Sequence, residues 1–254
     1  MDLAQVRKLS SSSLIFMGHA GKNFAGICYS IASGKFSIAD FFKESVVFCY
    51  GVMMSVFIIA IALGVVIGIQ LGPQFISKGL GSDLGILSAL MMTRELVPIV
   101  GSLMIATQYG TGLTAELANM KITEQIEALK VFRVNPIEYL VVPRFLAAVI
   151  FTPIVIWLAS LIAIASSYIT VYLTDGLRLK GFLRSIWTYY KLSDISLCLT
   201  KSAVFGGMIV LIAITLGLEV EGGAQEVGKA TTLMVILSFV MIVLVDYIIT
   251  TIYL

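Results

Sequence analysis

Charged residues are scarce in this chain of 254 residues. Asp, Glu, Lys and Arg make up 13% of the chain, whereas 59% of its residues are hydrophobic; an ordinary soluble domain is about a quarter charged. The formal net charge is +2, and the 17 basic residues are scattered. This composition excludes a disordered chain, and it argues against a nucleic-acid partner, which would require a basic patch.

The sequence also lacks the residues that build most catalytic and metal centres. It contains one histidine, His19, and its three cysteines, Cys28, Cys49 and Cys198, lie far apart among apolar neighbours. These residues provide neither metal-site spacing nor a disulfide framework. A Gly-x-x-x-x-Gly-Lys-Ser/Thr phosphate loop is absent as well, so the chain is not expected to hydrolyse ATP alone. We predict no catalytic residue, no metal site and no cofactor in this chain.

Long apolar runs, in contrast, occupy most of the sequence. A membrane-spanning helix needs about 20 mostly apolar residues, because the hydrocarbon layer is about 30 Å thick and each helical residue rises about 1.5 Å. Five stretches meet this requirement, and we therefore predict an all-α, polytopic membrane protein with about five transmembrane helices. The stretches cover residues 46–72, 96–115, 145–174, 202–218 and 230–254, the last continuing past Asp246.

The first 44 residues differ in character from the rest, because basic residues alternate there with apolar ones. This mixture predicts an amphipathic helix on the cytoplasmic membrane surface, forming an N-terminal segment over 1–44 before a transmembrane domain over 45–254. A short re-entrant segment or a sixth span over 14–31 is the alternative. The basic residues are Arg7, Lys8, Lys22, Lys35 and Lys43.

The distribution of basic residues favours one orientation weakly. The first long apolar run begins near residue 45, too late for a cleavable signal peptide, and so we expect the N-terminus to stay in the cytoplasm. Five spans then place 116–144 and 219–229 inside and 73–90 and 175–201 outside. This arrangement puts more Lys and Arg inside than outside, as the positive-inside rule requires.

A short amphipathic helix is predicted between the second and third spans, over 121–133. Asn135 and Pro136 would end it. Such a helix either docks against a protein outside the bilayer or simply joins two spans at the interface. Its apolar positions are Ile122, Ile126, Leu129 and Phe132, and its charged positions on another face are Glu124, Glu127 and Lys130.

Three motifs follow one another in this part of the chain. Arg-Glu-Leu-x-Pro begins at Arg94, Gly-x-x-x-x-Ala-Glu-Leu-x-x-Met-Lys-x-Thr-Glu-Gln-Ile-x-Ala-Leu ends at Leu129, and Asn-Pro-x-x-Tyr-Leu-Val-Val-Pro-Arg ends at Arg144. In this order they resemble the MlaE-type permeases, the membrane subunits of lipid-transporting ABC systems in diderm bacteria and plastids. The resemblance extends over roughly residues 45–250.

The resemblance implies a permease subunit that moves a phospholipid or related lipid between the inner membrane and a periplasmic MCE-type carrier. Such a system helps to maintain the lipid asymmetry of the outer membrane. The implied partners are a second copy of the chain, a cytoplasmic ABC ATPase that binds ATP, an MCE-domain protein and a STAS-domain accessory protein. The chain would be a multi-pass inner-membrane protein with its N-terminus in the cytoplasm.

By the same resemblance, the helix over about 119–134 would be a coupling helix that docks into a groove of the ATPase. The loop over 219–229 would form a second contact with this subunit. The candidate ATPase contacts are Lys121, Glu124, Gln125, Glu127 and Lys130.

Arg94 and Glu95 interrupt an apolar stretch, although a charge at the centre of a bilayer costs about 2.5–3.5 kcal/mol. Adjacent helical residues point about 100° apart, so each of the two needs a partner elsewhere. Either both lie at the outer interface, or Arg94 binds a lipid phosphate in a pocket, which the resemblance implies. Pro98 is expected to free a backbone carbonyl and kink the helix. The predicted lipid-binding residues are Arg94, Glu95, Leu96, Gln108 and Tyr109.

The chain departs from the family pattern at two places. Val97 replaces a common Gly, and Gln108-Tyr109-Gly110 replaces Arg-x-Gly, which removes one candidate contact to an anionic head group. Asp246 is expected either at the outer interface or paired with a basic residue.

Gly101, Gly110 and Gly112 predict either close helix packing or flexible turns. A stand-alone secondary transporter or channel for a hydrophobic solute remains the alternative function, although it would need internal repeats or coupling-ion acids. A membrane-embedded enzyme is disfavoured by the single histidine.

Overall fold

The computed structural model describes residues 3–34 and 37–253, with side chains from residue 18 onward. These residues fold into ten α-helices without any strand. The helices are α1 (Leu3–Ala32), α2 (Ile38–Ser77), α3 (Leu84–Met91), α4 (Val97–Ile105), α5 (Thr111–Ile122), α6 (Gln125–Val131), α7 (Val142–Asp175), α8 (Leu179–Tyr189), α9 (Leu192–Glu219) and α10 (Ala224–Tyr253).

Five helical segments in the described part of the chain are long and apolar enough to cross a membrane, which confirms the predicted fold class. Even the shortest has 28 residues, or about 42 Å of helix. Each segment is therefore longer than the apolar layer is thick, and its ends extend beyond that layer. We call the end of the bundle that carries α1 and α6 the α6 end, and the opposite one the α8 end. The spans are Ile38–Ser77, Gly81–Ile122, Ile137–Asp175, Leu192–Glu219 and Ala224–Tyr253.

The second span is a chain of short helices rather than one regular helix. A 3-10 turn (Gly81–Asp83) leads into α3, and π-helical turns at Met92–Leu96 and Ala106–Gly110 separate α3, α4 and α5. In the first π turn the N–H of Val97 bonds to the carbonyl of Met92, five residues back. Single π turns inside α-helices are frequent at functional sites. All five predicted lipid-binding residues lie in these two turns.

The most extensive helix contact joins α2 to α7, and small residues allow the two helices to approach closely. Gly64, Gly68 and Gly72 recur every fourth residue on one face of α2. A Cβ at Gly64 would overlap the carbonyl oxygen of Ala163, so only glycine permits the observed approach of the two backbones.

Two of the three glycines in the second span pack closely against neighbouring helices. A Cβ at Gly101 would overlap Ile156, and one at Gly110 would overlap Met234, whereas one at Gly112 would enter open space. The packing interpretation therefore holds for the first two glycines only.

The predicted start of the fourth span is wrong. The sequence suggested a loop over 175–201, but α9 begins at Leu192, and a separate helix, α8, occupies much of the remainder. Lys201 consequently lies inside a span and is fully buried. The prediction started the span directly after this charged residue. In the structure, carboxylates from other helices neutralise the charge.

The N-terminal segment contains one helix and the start of another. The Ser37 side chain accepts a hydrogen bond from the N–H of Asp40 and caps α2, which therefore starts seven residues before the predicted boundary at 45. The second half of α1 packs at the α6 end, where Ile27 is fully buried and His19 contacts Glu219. A position on the membrane surface stays a prediction, and the basic side chains at 7, 8 and 35 lie outside the described residues.

Candidate functional site

Five charged side chains meet near the α8 end of the bundle, and we call them the α8-end cluster. They come from three spans that are distant in sequence. The first π turn contributes two residues, α9 contributes two and α10 contributes one. The cluster consists of Arg94, Glu95, Asp194, Lys201 and Asp246.

Lys201 lies at the centre of this cluster and is 0% exposed. Its Nζ is 3.0 Å from Glu95 Oε2, 2.8 Å from Asp246 Oδ1 and 2.8 Å from the carbonyl oxygen of Arg94. Pro98 explains the third contact, because proline has no N–H to donate to the carbonyl four residues earlier. The ammonium thus donates hydrogen bonds to Glu95 and to the Arg94 carbonyl and forms an ion pair with Asp246, and the expectation that Pro98 frees a carbonyl is confirmed.

Arg94 pairs with Asp194 at the start of α9. Its Nε and Nη2 lie 2.9 Å and 2.5 Å from Asp194 Oδ1. The other carboxylate oxygen of Asp194 accepts a hydrogen bond of 2.9 Å from the N–H of Lys191. Beside this pair, burial raises the pKa of Tyr190. Arg94 and Glu95 therefore each have a partner on α9. Asp246 is paired with Lys201, as expected if this acid is not simply at the outer interface.

The cluster is buried on one side only. Lys201 and Asp194 are buried, but the Arg94 side chain is 36% exposed and that of Glu95 is 39% exposed. Buried charges are tolerated when opposite charges and hydrogen bonds surround them. The cation of Arg94 and the anion of Glu95 thus lie side by side at the surface of the apolar bundle, and each is paired with a buried residue of opposite charge.

The other predicted lipid-binding residues lie at a different depth. Gln108 Oε1 accepts a hydrogen bond of 2.6 Å from Ser55 Oγ on α2. Tyr109 packs edge-on against Phe48, with ring centroids 4.8 Å apart. Fourteen helical residues separate Arg94 from Gln108, or about 21 Å. The structure therefore places Arg94, Glu95 and Leu96 in one region and Gln108 and Tyr109 in another.

A second group of charges lies close to Tyr109, and we call it the α6-end cluster: Arg144, Glu44 and Glu116. Arg144 Nη2 donates to Glu116 Oε1 at 2.7 Å, and Arg144 Nε lies 3.3 Å from Glu44 Oε1. A cavity of about 290 Å³ opens beside the three side chains. The sequence reasoning missed this cluster, although Glu44 and Arg144 directly flank two of the uncharged stretches, which was the available signal.

The predicted coupling helix divides into two helices. Lys121 belongs to the last turn of α5, and Glu124, with a φ of 59°, separates that helix from α6. Arg133, with a φ of 58°, follows α6 at its other end. Such left-handed residues other than glycine are uncommon, and here one lies directly before α6 and the other shortly after it. The single helix expected over 119–134 is therefore interrupted at Glu124.

Helix α6 exposes both charged and apolar side chains. Glu127 Oε1 and Lys130 Nζ form an exposed ion pair of 2.7 Å, while Ile126 is buried. Phe132, expected on the apolar face with Ile126, is 77% exposed. Glu124 and Gln125 are also exposed, so four of the five predicted ATPase contacts are accessible from outside the protein.

Comparison with known proteins decides the family. The profile described as Permease MlaE matches residues 41–252. This chain belongs to the MlaE permease family. A probable ABC transporter permease of Synechocystis is 35% identical over 73% of this chain and 70% of its own length. One from Rickettsia typhi is 33% identical over 74% of this chain and 72% of its own.

A plant relative belongs to the same group. The chloroplastic protein TRIGALACTOSYLDIACYLGLYCEROL 1 of Arabidopsis thaliana is 31% identical over 74% of this chain, which spans 54% of that protein. The family match covers both charged clusters and α6 of this MlaE permease, but the whole of α1 lies outside it. The protein is thus a multi-pass permease subunit of the ABC transporter type.

Proposed function

We propose that this permease moves a phospholipid or related lipid between the inner membrane and a periplasmic MCE-type carrier, and so helps to maintain outer-membrane lipid asymmetry. The observation that carries this proposal is the half-buried pair of Arg94 and Glu95 inside a span. The name of the Arabidopsis relative, which contains that of a glycolipid, supports a lipid cargo.

The geometry of the pair suits an amphiphile. Asp194 binds Nε and Nη2 of Arg94, so the remaining N–H groups of the guanidinium are free to donate to a phosphate. An arginine–phosphate contact is a charge-assisted hydrogen bond, and it gains strength in an apolar setting. Acyl chains of the same lipid would lie against the apolar side chains of the bundle. No covalent step is required of the chain.

ATP hydrolysis in this proposal is the task of a separate ATPase that docks on α6. Two observations support docking at this place: the exposed Glu127–Lys130 pair and the exposed Phe132 next to it. An exposed aromatic side chain in a charged connection between spans suits a protein contact. Because the ATPase must be where ATP is, the α6 end and α1 would face the cytoplasm of a cell with an inner membrane.

The proposed assembly contains further copies and subunits. The apolar surfaces of α2 and α10 are extensively exposed, and they suit a second copy of the chain as well as lipid. The MCE-domain carrier would approach from the α8 end, where the Arg94–Glu95 pair lies. A STAS-domain protein is proposed as an accessory on the ATPase side.

The test is co-purification of the ATPase with tagged permease from its own cells. Glu127→Arg reverses the charge of an exposed side chain on α6 and is expected to lose most of the ATPase without loss of folded permease. Asp83→Arg makes the same charge change at the α8 end and is expected to retain it. A permease that purifies without any ATPase, and transports lipid without ATP, would contradict the proposal in favour of a stand-alone transporter.

A further inference from the structure

The α6-end cluster contains hydrogen-bond donors that the protein itself leaves unused. The Arg144 side chain is only 8% exposed. Its Nη2 and Nε face Glu116 and Glu44, but Nη1 is buried and has no partner among the described residues. The buried hydroxyl of Tyr109 also lacks a partner in the described part of the chain. Unpaired buried donors are costly, and they suggest a missing ligand.

Both groups line the cavity of about 290 Å³ between α2, α5 and α7. Its apolar walls include Val47 and Leu113, and Gly51 and Gly112 line it as well. A Cβ at either glycine would meet open space. Small-molecule sites usually have volumes of about 300–1,000 Å³, so this cavity suits a lipid head group whose acyl chains remain outside.

The position of the cavity also suits a lipid. Glu44 lies about 9 Å from the start of α2, and the uncharged stretch 45–77 begins at the next residue. The cluster therefore lies where the apolar layer ends on the α6 side. This is the depth of the polar head groups of one leaflet, and the Arg94–Glu95 pair lies toward the other.

The charges around the cavity select among head groups. Two carboxylates, Glu44 and Glu116, face one guanidinium, Arg144, so an anionic head group without a cation would be repelled. A simple cation would satisfy the carboxylates and leave Arg144 Nη1 and the Tyr109 hydroxyl unpaired. A zwitterion satisfies both sets, because its phosphate accepts hydrogen bonds from the two donors and its primary ammonium donates to the carboxylates.

We infer that the α6-end cluster is a second lipid site, which binds the phosphoethanolamine head group of a membrane phospholipid. This inference rests on the proposed lipid-transport function and adds a leaflet and a head-group class to it. Glu116, half exposed at the cavity, determines the preference for the ammonium group. Arg144 and Tyr109 bind the phosphate.

The experiment measures retained lipid by native mass spectrometry after equilibration in nanodiscs of equimolar phosphatidylethanolamine and phosphatidylglycerol. The wild-type permease is expected to retain the former in excess. Glu116→Gln removes one exposed negative charge and is expected to lower the ratio about two- to fivefold. Glu221→Gln, an exposed carboxylate at the same end, is the matched control and leaves the ratio unchanged.

Two further variants separate a ligand site from a purely structural ion triad. Tyr109→Phe retains the packing on Phe48 and removes only the hydroxyl, so we expect unchanged thermal stability and about two- to tenfold weaker retention of phosphatidylethanolamine. Gly51→Leu fills the cavity and is expected to abolish this lipid preference, whereas Gly51→Ala retains it.

The outcomes distinguish the inference from the proposed function. An unchanged lipid ratio in Glu116→Gln and Gly51→Leu, with phospholipid still bound, would overturn the second site alone. Wild-type permease without any retained phospholipid would overturn both. Displacement of the lipid by free phosphoethanolamine in solution would show a soluble ligand and would contradict the membrane source.

Discussion

The two charged clusters are built alike, but they differ in the hydrogen bonds that their buried cation makes. Each has a buried cation, Lys201 or Arg144, held by carboxylates from other helices. Lys201 Nζ donates to Glu95 and to the carbonyl of Arg94 and forms an ion pair of 2.8 Å with Asp246, whereas Arg144 keeps a buried nitrogen without a partner among the described residues. The difference indicates that Lys201 holds spans together behind an exposed pair, while Arg144 presents a donor to a cavity.

Replacement of Lys201 by Met is expected to have the largest effect. It leaves Glu95 and Asp246 near each other without their buried cation, and removal of one partner of a buried ion pair costs about 3–5 kcal/mol. Thermal unfolding in detergent measures the loss. Lys229→Met, which removes an exposed lysine paired with Glu226, is the control and should cost less than about 1 kcal/mol. Equal melting temperatures for the two variants would contradict the central role of Lys201.

Replacement of Arg144 by Met should cost less, about 1–3 kcal/mol. The guanidinium is nearly as buried as Lys201, but Glu116 is half exposed and water can solvate it once the cation is gone. The same unfolding measurement ranks the two variants. A loss for Arg144→Met that exceeds the loss for Lys201→Met would reverse the comparison and make the α6-end cluster the structural one.

Replacement of Arg94 by Ala should change lipid content more than assembly. It removes the exposed phosphate donor and leaves Asp194 with its bond from the N–H of Lys191, so some stability is lost but the fold is retained. We expect less phospholipid in the purified complex, quantified after solvent extraction. Arg94→Lys keeps the charge without the planar donor fork, and we expect it to restore folding better than lipid content. Wild-type lipid content in Arg94→Ala would exclude this residue from the site.

Sequence reasoning located the spans because their apolar runs are long, and it recognised that Arg94 and Glu95 need partners. It could not identify these partners, since Lys201 is more than one hundred residues away and its own charge made it look like part of a loop. The same limit hid the α6-end cluster, whose three members belong to three different helices. The break at Glu124 depends on one left-handed residue, and no motif in the sequence signals it.

The proposed ATP-driven lipid transport is tested most directly by phospholipid transfer from proteoliposomes that contain the permease, with and without its ATPase and ATP, to an acceptor MCE-domain protein. We expect transfer only when ATPase and ATP are both present, and loss of transfer with Glu127→Arg although the permease stays folded. Transfer by the permease alone, or an ATP-dependent transfer that excludes phospholipid, would contradict it.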